Sequence, residues 1–590
     1  MKTTSSNARM VSKLLFRLLP VQILLALVNA ANGTISGLYA GNYVGELAMS
    51  AVALFGPINM LIGALASLLV AGATILCGKL MGGNQLDRVQ NLFSLDIMLS
   101  MLISAIFTVL MLFLGLFDLT GFLVKDEAVR PIFNRYLIGQ AIGVFPLMLG
   151  TQLTSFLSLD NHARRATVAS LVMLSANVLF NVLFVQVMHL EAFGLALASS
   201  LGLWTFLTIE AQYFLSEKSS LHFSIRNLPW SESTEIIKIG FPGAATSIYV
   251  TVRGLIVNGL IAAYVGSIGL SAMAASDAIL RIFWTIPAGM LAVSRMLFSI
   301  SIGEEDRQTL TNVMRNMFYR FLPLMCGVSA LIILFAVPFT RMFYRDSSAS
   351  VYMMTVWGFR ILPLCMPLAV IVMHFSCYWQ ASNRPVIVNI LAVLDGVVCV
   401  SGFTALLIRS IGMNSVYVAN ALNGIVATLI VLFYSWGKNR HFPKNIEELM
   451  IIPEDFGVAE SDRLNLAVQN IDEVVIVSQT VQAFCQEKEI DTRRATIAGL
   501  AMEEMAGNVV YYGFPKDKRK HSVDIRVVYK DNGVILCIKD DCMPFNPVEQ
   551  QNMFKPEDPA KNIGIRMIRK MSEDFYYRNI LGLNVLTIRI

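Results

Sequence analysis

Tyr43–Ala51, YVGELAMSA, returns about 220 residues later as Tyr264–Ala272, YVGSIGLSA. The flanks repeat with it. Pro20 upstream of the first copy faces Pro242 upstream of the second, and downstream Gly83 with Asp87-Arg88 faces Gly303 with Asp306-Arg307. Glycine and serine in apolar helices also serve close helix packing. Composition alone does not set Tyr-Val-Gly and Asp-Arg at matching offsets, so the chain reads as internally duplicated.

What is duplicated is a membrane segment. Of 590 residues, 55% are hydrophobic and only 15% charged, against roughly 25% charged in average soluble domains. No charge occurs between Arg17 and Glu46, Glu46 and Lys79, Asp96 and Asp118, or Arg135 and Asp160, and each window exceeds the roughly 20 residues needed to cross a bilayer. Lys2, Arg9 and Lys13 resemble the start of a signal peptide, but the long run after them and the further spans mark a retained segment. About twelve helices are expected, near 14–38, 48–77, 92–116, 132–158, 166–188, 192–215, 236–263, 271–300, 314–337, 353–380, 385–408 and 414–436. Lys79, Arg88, Arg164, Arg165, Lys218, Arg226, Arg307, Arg315, Arg384, Lys438, Arg440 and Lys444 fall on the side of the N-terminus. That excess predicts a multi-pass plasma-membrane protein with both termini cytoplasmic. The net charge of +5 follows from the same bias, and nothing points to nucleic acid. The eight cysteines show no metal-ligand spacing and read as small buried hydrophobes.

The expected fold class is therefore a polytopic all-α membrane protein of two parallel six-helix repeats, followed by a C-terminal α/β-sandwich domain. The expected divisions are a cytoplasmic N-terminus at 1–13, a first bundle at 14–218, a second at 219–440, a linker at 441–460 and a domain at 461–590. Transporters are commonly built from such halves, with the substrate site between them near the midplane.

Pro20, Gly41-Asn42-Tyr43-Val44-Gly45-Glu46-Leu47-Ala48, its second-half copy, and Gly82-Gly83 leading into Asp87-Arg88 resemble the multidrug and toxic compound extrusion (MATE) transporters over about residues 14–440. The resemblance implies an antiporter coupled to Na⁺ or H⁺ that alternates access around a central cavity. It departs from the family at two carboxylate positions. The first-span acid falls near Ser36, and the fifth-span Asn-x-x-x-Asp is Asn177-Val178-Leu179-Phe180-Asn181. Neither Ser36 nor Asn181 releases a proton near neutral pH.

Other ionisable groups within spans are functional candidates, because charge in a bilayer is costly. Asp395, near the counterpart of Asn177, reads as a cation or proton site or as a structural hydrogen-bond partner. Asp277 and Arg281, four residues apart, can neutralise each other. Arg253 would join them and suit an anionic or zwitterionic substrate. His374 titrates near neutrality if solvated and is a packing residue otherwise. Asp96, near a span end, reads as solvated.

Residues from about 460 alternate as a soluble domain: strands at 464–469, 522–529, 534–539, 575–578 and 583–590, with helices at 472–487, 492–512 and 564–572. Glu504 and Asn508 share one helical face, and a carboxylate beside an amide oxygen suits Mg²⁺ with phosphates. With Asp540-Asp541-Cys542-Met543-Pro544-Phe545-Asn546-Pro547 and Lys561-Asn562-Ile563-Gly564-Ile565-Arg566, these residues resemble the N box and two Gly boxes of the GHKL (Bergerat) nucleotide fold, most closely the anti-sigma-factor serine kinases. By that resemblance Glu504 is the base, Asn508 the magnesium ligand, Asp540 the adenine reader and Gly564 part of the phosphate loop, with ATP and Mg²⁺ as cofactors. Cys542 and Asn562 stand where the family has glycine, which leaves ATP hydrolysis or serine-kinase activity open.

Two functions follow. One is ion- or proton-coupled efflux of small amphipathic or organic molecules, regulated by the nucleotide-binding domain. The other is a membrane-anchored sensor whose domain binds or phosphorylates an anti-anti-sigma-like partner of the STAS type. A primary ATP-driven pump is disfavoured, because no Gly-x-x-x-x-Gly-Lys-Ser/Thr loop occurs.

Overall fold

A computed structural model of the chain describes residues 4–39, 43–124, 126–217, 219–226, 228–516, 521–547 and 563–590. Among them, twelve helices are long and apolar enough to cross a membrane. Spans 1–6 are Asn7–Asn32, Leu47–Gly82, Leu86–Leu116, Arg130–Leu159, Ala163–Val187 and Glu191–Phe214. Spans 7–12 are Trp230–Tyr264, Ser267–Gly303, Arg307–Leu334, Ser350–Ala381, Pro385–Ile411 and Asn414–Asn439. The twelve expected segments coincide with them.

The duplicated motif has a backbone cause. Gly45 and Gly266 precede spans 2 and 8 with φ of 108° and 84°, a region that a Cβ makes costly, so each Tyr-Val-Gly forms a turn suited to glycine. The repeat extends to irregularities. Pro20 and Pro242 both lie inside helices, where each removes one backbone hydrogen bond. Spans 5 and 11 both contain a π-helical turn, at Val182–Val187 and Leu394–Val398. The halves meet along spans 1, 2, 7 and 8. At one end of this seam a Cβ on Gly82 would collide with the backbone of Ile300 and Glu304, and a Cβ on Gly303 with Lys79.

The segment 441–460 carries the short helix Ile446–Met450 and is fastened to the second half. Arg307 pairs with Glu447 at 2.8 Å and donates to the Pro453 carbonyl at 2.9 Å, and Arg384 donates to the Ile451 carbonyl at 2.5 Å.

Beyond it, strands β1 (Arg463–Val468), β2 (Val523–Lys530), β3 (Gly533–Asp540), β4 (Asp574–Ile580) and β5 (Leu583–Arg589) form one antiparallel sheet in the order β1-β2-β3-β5-β4. Period-2 alternation gives it two unlike faces. Val523, Ile525, Val527, Val534, Leu536, Ile538 and Ile588 form a core with the helices Ile471–Glu487, Thr492–Asn508 and Ile563–Met571. The first of these helices is closed by a capping box. The Glu473 amide donates to the Asn470 side chain at 3.1 Å, and the Gln469 amide donates to the Glu473 carboxylate at 2.7 Å. Asp524, Arg526, Lys539 and Arg578 alternate onto the other face, which is turned toward the membrane half.

Candidate functional site

Between the two halves lies a cavity of about 960 Å³. Asp395 lines it, and its Oδ1 accepts a hydrogen bond from Asn423 of span 12 at 2.6 Å, so this carboxylate both ties two helices and faces the lumen. Arg253 donates to the Asp395 backbone carbonyl at 3.3 Å. In the first half, amides occupy the corresponding place. Asn177 and Asn181 are fully buried, Asn177 donates to Asn32 at 2.6 Å, and Asn181 donates to the Asn177 carbonyl at 2.9 Å. Asn32 lines the cavity. Ser36 belongs to the helix Thr4–Tyr39, and its side chain lies outside the described residues.

Other candidates fall elsewhere. Asp277 and Arg281 are both exposed on span 8, and no ion pair joins them among the described residues. His374 is 1% exposed, its Nδ1 is 2.7 Å from the Val370 carbonyl of its own helix, and its ring lies against Phe321. That is the environment of a packing residue. Asp96 corrects the expectation of a solvated acid: it is fully buried, and neither oxygen has a hydrogen-bond partner among the described residues. Two further charged groups were not singled out from the sequence. Arg295 lines the cavity. Glu210 is fully buried behind it, accepting at 2.7 Å from Thr154, a residue of the cavity wall.

In the C-terminal domain, the Thr492–Asn508 helix sets Glu504 and Asn508 one turn apart, with Asn508 Nδ2 donating to Glu504 Oε1 at 3.1 Å. Gly564 abuts Glu504, leaving no room for a Cβ, so the N box and second Gly box meet. Lys561 and Asn562 lie outside the described residues. Asp540 ends β3 and is 5% exposed, and its Oδ1 accepts from Asn584 at 2.7 Å and from the Cys542 amide at 3.0 Å. Burial pushes the Asp540 carboxyl up, and these hydrogen bonds pull against it. Cys542 is buried against Gly513, its thiol turned inward. The carboxylate and amide oxygens of Glu504 and Asn508 suit a magnesium ion held jointly with phosphates.

The sheet's polar face grips the seam of the membrane half. Lys539 reaches Glu304 at 2.6 Å and Asp306 at 3.1 Å, and Lys530 reaches Glu305 at 2.7 Å. Arg526 donates to the Glu304 and Glu305 carbonyls at 3.1 and 2.8 Å. Arg578 bridges the halves: Nη2 pairs with Glu304 at 2.9 Å, while Nη1 donates to the Gly82 carbonyl at 3.0 Å and to that of Met81. Beside it, Ile580, Leu581 and Leu583 enter the membrane-half core among Val11, Leu14, Leu297 and Ile300. Burial by itself raises the Asp306 carboxyl, but Lys539, Arg526 and the Thr309 hydrogen bonds outweigh it and hold the group well below the usual carboxylate range. Burial lowers Lys539, and Glu304 and Asp306 more than offset this, so its ammonium is pushed up.

The MatE family model matches residues 22–183 and 242–400, together more than half of the chain. The chain belongs to the MATE family. A second model, the histidine kinase-like ATPase domain, matches residues 468–590. No curated protein matches the chain. Among solved structures, the MATE half is similar to a multidrug resistance MATE family transporter of the MOP superfamily in an outward-facing conformation, at 19% identity, TM-score 0.67, covering 76% of this chain and 99% of that one. It is also similar to a MOP superfamily transporter of Pyrococcus furiosus, described as having a reversed polarity of its binding pocket, at 19% identity, TM-score 0.65, and 76% and 99% coverage. A Vibrio cholerae MATE transporter aligns at 17% identity, TM-score 0.66, over 73% of this chain and 97% of that one. The MATE chain therefore combines a twelve-helix transporter fold with a kinase-like ATPase domain.

Proposed function

We propose that this MATE protein is a secondary active exporter of small amphipathic organic molecules across the plasma membrane, coupled to Na⁺ or H⁺. A cytoplasmic nucleotide-binding domain controls its access cycle. The first bundle is 14–218, the second 219–440, the linker 441–460 and the nucleotide domain 461–590. Asp395 is the coupling carboxylate, since it is the acid that faces the cavity where the first half carries amides. Asn508 holds Mg²⁺, Asp540 reads the adenine, Gly564 approaches the phosphates and Glu504 orients the nucleophile.

One observation carries the regulatory part: Arg578 binds both halves at the seam where Gly82 and Gly303 touch. Alternating access requires the halves to part on each side in turn. A domain fastened across that seam holds its side shut. Adjacent residues of a strand point to opposite faces, so β3 carries Lys539 into the seam and Asp540 toward the opposite side. A ligand at Asp540 therefore pulls on the strand that grips Glu304 and Asp306.

The test is calorimetry of Mg-ATP on the full chain in nanodiscs, with Asn508→Ala as control, paired with limited proteolysis of the 453–460 segment. Saturable binding that the substitution abolishes, with nucleotide-dependent cleavage, is the expected result. No binding at millimolar nucleotide would overturn nucleotide control and leave a docking module.

A further inference from the structure

The cavity wall carries two charged side chains among its described lining residues, Asp395 and Arg295. They are not equally provided for. Asp395 has Asn423 on its carboxylate and the Arg253 guanidinium at its backbone. Arg295 makes no ion pair with a described residue, its buried Nε has no hydrogen-bond partner among them, and the side chain beside it is the Cys377 thiol.

The surroundings of Arg295 show why. Its helix, Thr285–Gly303, packs on spans 1, 2, 9 and 10. Within Asn7–Asn32, Leu47–Gly82, Arg307–Leu334 and Ser350–Ala381 there is no aspartate or glutamate. Along its own helix the nearest acid is Glu304 at the C-cap, nine residues on or roughly 14 Å at a rise of about 1.5 Å per residue, and it is already paired with Lys539 and Arg578. A permanently charged guanidinium at membrane depth is costly without a counter-charge, and these spans supply none within reach. The space in front of it is the central cavity, whose other walls include Phe55, Leu147, Phe206 and Val372.

We infer that Arg295 is the anion receptor of the transport cavity, and that its substrates carry a carboxylate, sulfonate or phosphate head on an apolar body. The guanidinium fork takes two oxygens of such a head, and the apolar wall takes the body. A zwitterion adds an amine for Asp395. This rests on the exporter reading of the cavity and narrows it: a purely cationic amphiphile places its charge against Arg295 and is a poor ligand.

The experiment uses two probes with one fluorophore, dansylglycine and dansylethylenediamine, titrated onto the detergent-solubilised full chain by fluorescence anisotropy. The carboxylate probe should bind more tightly by roughly tenfold or more, as expected for a charge-assisted fork. Arg295→Gln should remove that margin by weakening the carboxylate probe while the amine probe binds as well or better, whereas Arg295→Lys should keep part of it. Preference of the unmodified protein for the amine, or an Arg295→Gln variant that retains the margin, overturns the inference. Because the probe preference is read on the unmodified chain, a variant that fails to fold does not stall the test. Proteoliposome flux of the same probes separates the two claims. Binding of the carboxylate without flux sinks the exporter reading and spares the anion site, and flux of the amine with no carboxylate preference does the reverse.

Discussion

The two six-helix halves share a backbone plan down to its irregularities, yet their charges are unlike. Gly45 and Gly266 turn alike, and spans 5 and 11 carry matching π-turns. At the first π-turn the neighbouring polar groups are Asn177 and Asn181, whereas at the second the acid is Asp395. The same asymmetry recurs at the seam, where the first half offers the carbonyls of Met81 and Gly82 and the second offers the carboxylates of Glu304, Glu305 and Asp306. At these two matched places geometry has been kept in both copies, and side-chain charge in one. A duplicated fold thus constrains where the chain bends far more than what it carries there.

The contrast between the halves can be broken most forcefully at the seam. Glu304, Lys539 and Arg578 side chains are between 6% and 10% exposed, and removing one partner of a buried ion pair costs about 3–5 kcal/mol. Glu304→Ala should therefore release the C-terminal domain, seen as faster proteolysis between residues 453 and 460, whereas Asn84→Ala in the first-half loop should not. Equal effects would mean that the halves share the load. Within the cavity, Asp395→Asn is expected to reduce ion-coupled flux on the order of a hundredfold, as for loss of a proton-transferring group. Adding Asn181→Asp should restore part of it with a shifted pH profile. Unchanged flux in the single variant would remove the second half's claim to coupling.

A pH series sharpens the same contrast. Asp306 has its folded pKa held down, so its contribution to docking is present above the ordinary carboxylate range and lost only as pH falls through the lower folded value. Lys539 is pushed up, so its contribution is present below the ordinary lysine range and lost only as pH rises past the folded value. Docking should thus be flat between about pH 5 and 9, and a midpoint inside that window by the proteolysis assay would contradict the buried pairing. The smallest effect belongs to His374→Gln, which should change flux by less than about twofold, since packing substitutions away from a site act mainly on stability.

The spans were legible because a charge-free window of more than twenty residues is rare outside a bilayer, and the duplication because a turn that demands glycine preserves its sequence. The C-terminal strands were legible through alternation, although the same alternation hid what the polar face was for. Arg526, Lys530, Lys539 and Arg578 each look like solvated charge, and their partners at 304–306 lie more than 200 residues away. Asp96 was misread for a related reason: proximity to a span end suggests water, but span 3 turns inward here, with its own Phe93 packed on Phe156 and Phe214. Arg295 and Glu210 sit inside windows apolar enough to absorb one charge without losing their membrane character. For Glu504, Asn508 and Asp540, order and spacing could be read along the chain, whereas the approach of Gly564 to Glu504 required the fold.

The order of the chain bears on how the molecule is born. Among the described residues, the cations that pair with Glu304, Glu305 and Asp306 all lie beyond position 520, so the membrane half is made before the counter-charges of these three carboxylates. Until β2, β3 and β4 are made and folded, Arg578 does not yet tie the loop at 304–306 to the Met81 and Gly82 carbonyls. The newborn transporter thus meets the clamp at its seam only after the sheet that carries it has been made.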